Sequence, residues 1–143
     1  MRLEGELIAK MGIERLWGYI ENPEEFAKCV PGMKEYIIEG EDIKAKVKAG
    51  IGFIRTTFNV KLKMLEKDRE NRTIKMNISG SGAGNRFEGD INVKMEPISD
   101  EETKVNWWSE AKVSGLLATV SSSMIKGVLE KTFNQAFECL SKK

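Results

Sequence analysis

Ile43-Lys44-Ala45-Lys46-Val47-Lys48-Ala49 alternates apolar and basic residues without a slip. An extended chain, whose side chains change face at every residue, sorts such a stretch into one oily face and one charged face. The same pattern returns downstream. Phe58, Val60, Leu62 and Met64 alternate with Asn59, Lys61 and Lys63, and Ile74, Met76 and Ile78 alternate with Lys75, Asn77 and Ser79. Phe87, Gly89, Ile91, Val93 and Met95 follow in step, and Val105, Trp107, Ser109, Ala111 and Val113 close the series. Upstream, Tyr36–Glu39 and the polar Gly40-Glu41-Asp42 turn make a hairpin with the first stretch. Short connections between half-apolar strands predict an antiparallel meander rather than a parallel sheet.

The flanks change period. Leu3–Ala9 reads as an opening strand, Glu14–Ile20 as a short helix with Leu16, Trp17 and Ile20 on one face, and Asn22-Pro23-Glu24-Glu25 as the start of a second helix. Pro31-Gly32 ends that second helix. After Val113, Leu117, Val120, Met124, Val128, Leu129, Phe133, Phe137 and Leu140 recur at helical spacing. They predict one long helix from Gly115 to Leu140 with Ser114 as its cap, about 40 Å long at 1.5 Å per residue. The expected fold is therefore α+β: a curved antiparallel sheet of six to seven strands wrapped around a C-terminal helix, with two short helices after the first strand. No linker, repeat or low-complexity tract divides the 143 residues, so one domain over 1–143 is expected.

A sheet that bends around one helix needs glycines and bulges, and Gly50, Gly52, Gly80, Gly82, Gly84 and Gly89 supply them. Its concave side can enclose more volume than one helix fills. The remainder is expected to be an apolar pocket lined by Phe58, Leu62, Met76, Phe87, Trp107, Leu117, Val120 and Met124, with Val30-Pro31-Gly32 framing the entrance. Trp107-Trp108 sends one indole to each face of its strand. Ser121-Ser122-Ser123 interrupts the helical stripe with hydroxyls placed either to meet a ligand or to bond back to the helix. The glycine run Gly80–Gly84 lacks the Lys-Ser/Thr of a phosphate-binding loop and reads as a hairpin bend.

Composition narrows the function. There is no histidine, which removes Ser-His-Asp and Cys-His nucleophilic machinery and His-based metal sites. No catalytic residue, cofactor or metal ligand is expected. A formal net charge of +1 supplies no global field for nucleic acid. The N-terminus lacks the apolar core of a signal peptide, and no apolar run is long enough to span a bilayer, so a cytoplasmic protein is expected. Cys29 and Cys139 share no metal-binding spacing. The sequence leaves a bridge and two free thiols open, and buried free thiols are the plainer expectation. Charge carried largely by Lys and Glu, with one glutamine at position 135, suggests a thermophilic source.

The order of elements resembles the helix-grip fold of the START/Bet v 1-like (SRPBCC) superfamily. Within it, Asn22-Pro23-Glu24, Cys29-Val30-Pro31-Gly32, Gly80-Ser81-Gly82-Ala83-Gly84 and Val113-Ser114-Gly115-Leu116-Leu117-Ala118 are similar to motifs of the carbon monoxide dehydrogenase CoxG family, in the order expected for it. The resemblance covers essentially the whole chain. It implies a non-catalytic accessory protein that binds an apolar small molecule, a lipid or quinone, and partners the subunits of a molybdenum-containing hydroxylase. Membrane association is implied to be at most peripheral, at the inner membrane face. Longer family members continue past the helix, whereas this sequence ends at Lys143, so the pocket is the feature expected to carry over. Two alternatives use the same fold: a cyclase or aromatase with acids in the cavity, for which Glu88 and Glu110 fall on the outward phase, and a ligand-free cochaperone-like domain.

Overall fold

The computed structural model describes Met1–Lys143. In chain order the elements are β1 (Arg2–Ala9), α1 (Ile13–Ile20), α2 (Pro23–Cys29), β2 (Met33–Glu39), β3 (Asp42–Ile51), β4 (Ile54–Asp68), β5 (Thr73–Gly82), β6 (Asn85–Ser99) and β7 (Glu102–Ser114). A 3-10 turn (Gly115–Thr119) and α3 (Ser122–Ser141) complete the chain. The seven strands form one antiparallel sheet in the order β1-β7-β6-β5-β4-β3-β2.

Strands adjacent in sequence are adjacent in the sheet except β1 and β2, which occupy opposite edges. The α1–α2 segment crosses between those edges, and α3 lies against the apolar face. Period-two patterning accounts for the rest. In β3, Ile43 is buried and Ala45, Val47 and Ala49 are half-buried, while Lys44, Lys46 and Lys48 are exposed. Register shifts between Met64 and Glu66 and between Pro97 and Ser99 leave Leu65 and Ile98 exposed and bend their strands. Glycines let side chains lie flat on the sheet: Phe87 covers Gly80, and the Trp107 indole covers Gly5, where an added Cβ would come within 2.9 Å of Nε1.

Three sets of contacts hold the helices over the sheet. Arg69 in the β4–β5 turn pairs with Glu14 and with Glu21, the latter at 2.9 Å, and lies over the Trp17 ring, which anchors α1. The Arg15 guanidinium of α1 donates to the Leu140, Ser141 and Lys143 carbonyls at 3.1, 3.0 and 2.9 Å, satisfying carbonyls left free at the end of α3. Lys143 pairs with Glu25 at 2.9 Å and holds its carboxyl below the usual carboxylate range. That attraction is present at neutral pH and is lost only as pH falls through the lowered value of the Glu25 carboxyl.

Two expectations are corrected. The C-terminal helix starts at Ser122, not Gly115. Gly115 adopts φ +76, Asn85 Oδ1 accepts the Leu117 N–H at 3.0 Å, and Val120 is extended, so these residues make a separate turn. Ser121 then caps the helix, its Oγ accepting the Met124 N–H at 3.3 Å. The serines expected to interrupt the helix begin it. The inward face is rephased to Ile125, Leu129, Phe133, Ala136, Phe137 and Leu140, and Met124 turns half outward.

The second correction concerns the cysteines. They are not free thiols: Cys29 and Cys139 form a disulfide with Cα atoms 5.5 Å apart, joining the end of α2 to α3. Spacing could not show this, because 110 residues separate the two and only the packing of α2 on α3 brings them together. A bridge closing so long a loop stabilises mainly by restricting the unfolded chain, by about 2–4 kcal/mol. Reduction with dithiothreitol, or a Cys29→Ala/Cys139→Ala variant, should therefore lower the urea midpoint by a corresponding amount. An unchanged midpoint would mean that the bridge adds nothing to stability.

Candidate functional site

The interior differs along its length. At the end nearest the β3–β4 and β5–β6 turns it is filled: Phe58 and Phe87 meet edge to face at 5.6 Å, and Leu117 and Val120 close over them from the turn before α3. Toward the other end, under α1 and α2, a cavity of about 100 Å³ remains. The sheet contributes Leu7, Ile43, Leu62, Met64, Ile74, Met76, Ile91, Val93, Met95, Val105 and Trp107, and the helices contribute Leu16, Tyr19, Ile20, Pro23, Phe26, Phe133, Phe137 and Leu140. Glu41, in the β2–β3 turn, is the one charged residue at its wall, and it pairs with Lys67.

Of the residues anticipated as pocket lining, Leu62, Met76 and Trp107 come together on this cavity. Phe58, Phe87, Leu117 and Val120 sit in the filled half, and Met124 is 50% exposed at its outer rim. Val30-Pro31-Gly32 joins α2 to β2 away from the cavity wall. There Gly32 takes φ +79 with its carbonyl accepting the Lys48 N–H at 2.8 Å, a turn in which a Cβ would strike the Lys48 carbonyl. The helix-borne half of the wall, from Tyr19, Phe26, Phe133 and Phe137, was not anticipated. Their apolar periodicity was visible, but not the rotation of each helix over the sheet.

The cavity is smaller than the roughly 300–1,000 Å³ typical of small-molecule sites. Aromatic rings account for this, because Trp107 and Phe133 pack edge to face at 5.5 Å across the space between sheet and α3. Apolar voids of this kind stay dry but accept apolar guests. One polar atom in the wall has no partner. Trp107 is 2% exposed and its indole N–H finds no acceptor, which buried polar groups nearly always do. A larger depression on the outer face of the sheet, lined by Glu35, Lys44, Lys46, Lys61, Arg86 and Glu88, is open and charged, and does not suit an apolar molecule.

The carboxylate at the cavity wall is that of Glu41, paired with Lys67. Glu88 and Glu110 are exposed, as their strand phase predicts, and no three His, Cys, Asp or Glu side chains converge on a point that would hold a metal. Because the Trp107 N–H makes no hydrogen bond, Trp107→Phe should cost only about 1 kcal/mol, mainly from lost packing, whereas Trp107→Ala should cost about 3–5 kcal/mol. Equal losses in chemical denaturation would show that the N–H is satisfied in solution.

Known structures share this architecture. A conserved protein from Geobacillus kaustophilus superposes with a TM-score of 0.85 at 22% identity, covering 99% of this chain and 93% of that one. A START superfamily protein from Mycobacterium smegmatis matches with a TM-score of 0.65 at 12% identity, over 99% and 94%. The Zhui aromatase/cyclase from Streptomyces sp. R1128 gives a TM-score of 0.61 at 13% identity, over 99% and 92%. At these identities the likeness concerns the fold. No curated protein sequence matches the chain. The family model for CoxG, a subunit of carbon monoxide dehydrogenase, however, matches residues 5–143. With the helix-grip architecture in place around an apolar hollow, the chain belongs to the carbon monoxide dehydrogenase CoxG family.

Proposed function

We propose that this chain works as one START-like unit over residues 1–143 that binds an apolar molecule, a lipid or quinone, without transforming it. On this reading it serves as an accessory to a molybdenum-containing, carbon monoxide dehydrogenase-type hydroxylase. The observation that carries the ligand reading is the cavity beneath α1 and α2, whose wall is almost wholly apolar, with Glu41 its one charged residue. Family membership supports the accessory role, since the family takes its name from that enzyme.

At about 100 Å³ the hollow admits only part of such a molecule. Entry therefore involves outward movement of α1 and α2, which span the two sheet edges as a cover and touch the sheet less than its strands touch each other. The bridge from Cys29 to Cys139 makes α2 move together with the end of α3. The unpartnered Trp107 N–H favours a ligand with an acceptor oxygen, since leaving a buried donor unpaired costs about 1–3 kcal/mol.

A cyclase-type reaction would need an acid in the hollow. The one carboxylate at the wall, Glu41, is exposed and neutralised by Lys67, which supports binding over catalysis. No helix is long and apolar enough to cross a membrane. We place the protein in the cytoplasm, peripheral to the inner membrane face. A disulfide is unusual in a mesophilic cytoplasm but common in hyperthermophiles, so this location goes together with the thermophilic source suggested by composition.

Native mass spectrometry after incubation with a bacterial lipid extract containing phospholipids and isoprenoid quinones tests the binding reading. The protein should take up a one-to-one apolar adduct, and Val93→Phe, which fills the hollow, should reduce uptake by about tenfold or more. Circular dichroism would confirm that the variant is folded. No adduct on the unaltered protein would end the carrier reading.

A further inference from the structure

The Cys29–Cys139 bridge stands at a seam in the wall of the hollow. Pro23 and Phe26 of α2 line the hollow, and Cys29 lies one helical turn beyond Phe26. Phe137 and Leu140 of α3 line it as well, and Cys139 lies between them in the chain. With its Cα atoms 5.5 Å apart, the bridge pins the α2 part of the wall to the α3 part. At this end α3 is itself fixed on the sheet: Ala136 and Leu140 are buried, and Phe133 packs on Trp107. The bridge passes that grip on to α2.

Little else holds α2 in place. Its side chains reach neighbouring elements through the Glu25–Lys143 pair at 2.9 Å and a hydrogen bond from the Tyr36 hydroxyl to Glu24 at 3.3 Å. Contacts of this kind near the surface contribute little. By contrast, α1 keeps its ties through Arg15 and Arg69 whether or not the bridge is present. The seven residues of α2 run between Asn22 and the Val30–Gly32 turn, where Gly32 takes φ +79, so short segments flank it on both sides to absorb a rotation. Cys29 is 6% exposed and Cys139 more so, which leaves the bridge open to attack from the Cys139 side.

We propose that the Cys29–Cys139 bridge is a redox latch on the hollow. Oxidised, it holds α2 down; reduced, it lets α2 lift, carrying Pro23 and Phe26 away from the wall to admit an apolar chain. The electron donor is a dithiol. One of its thiolates attacks Cys139 Sγ, the S–S bond breaks, and Cys29 leaves as a thiolate that takes up a proton. The donor's second thiol then resolves the mixed disulfide, so that Cys139 becomes a thiol and the donor a disulfide. Two electrons pass to the bridge, and both sulfurs end protonated. The latch rests on the reading of the hollow as a ligand site and adds what controls entry to it.

Hydrogen–deuterium exchange and uptake of cis-parinaric acid, a fatty acid that fluoresces in apolar surroundings, test the latch on the full chain before and after dithiothreitol. Thiol titration should find none before reduction and both cysteines after it. On reduction the α2 amides should exchange roughly tenfold faster or more, through a local opening that lacks the urea dependence of global unfolding. Uptake of the probe should quicken by a similar factor, and a Cys29→Ser/Cys139→Ser variant should match the reduced chain with or without dithiothreitol. Unchanged α2 exchange would make the bridge a staple alone and overturn the latch. Faster exchange with an unchanged uptake rate would overturn it too, leaving the carrier reading intact with entry elsewhere. If neither form takes up the probe or any component of the lipid extract, the carrier reading fails and the latch falls with it.

Discussion

Everything in this molecule follows from a sheet with one oily face and one helix available to cover it. Seven antiparallel strands present Phe58, Ile74, Ile91, Met95, Val105 and Trp107 on the same side. Left in water, that face would cost tens of kcal/mol at about 25 cal/mol per Å². A single helix about 10 Å wide cannot cover so broad a sheet while the sheet stays flat, so the sheet curves around it. The bulges at Leu65 and Ile98 and the glycines beneath Phe87 and Trp107 are local concessions to that curvature.

Coverage is uneven along the strands, and this unevenness makes a site. At one end the Phe58–Phe87 pair and the turn before α3 consume the concave volume. At the other, α1 and α2 span from edge to edge without filling what lies beneath. The disulfide and the Arg15 clamp both act on the C-terminal end of α3, so the cover and the helix that grips the sheet are mechanically one unit at the hollow end. The opposite end is tied by the hydrogen bond from the Leu117 N–H to Asn85 and exposes the apolar side chains of Phe53 and Leu116. The two ends therefore present different chemistry, one an apolar hollow and the other a tip of exposed apolar side chains.

Much of this was legible in residue order. Alternation in Ile43–Ala49, and its echoes through Val113, set strand identity, face and antiparallel pairing, because a period of two admits no other regular backbone. The outward phase of Glu88 and Glu110 was legible in the same way, and both are exposed on the fold. Leu62, Met76 and Trp107 were traced to the cavity wall because strand parity alone decides which way they face.

What the sequence could not decide was depth along the strand and rotation of the helices. Parity places Phe58 and Leu62 on one face but does not say that the first is packed under an aromatic ring and the second borders a void. A helical stripe read from Leu117 to Leu140 misjudged where the helix begins, because Gly115 at positive φ and an asparagine hydrogen bond from another strand end the regular pattern early. Cys29 and Cys139 met only once α2 had packed on α3. Local period is carried by neighbouring residues and can be read from them. Distances between segments a hundred residues apart arise from packing, which only the assembled tertiary structure specifies.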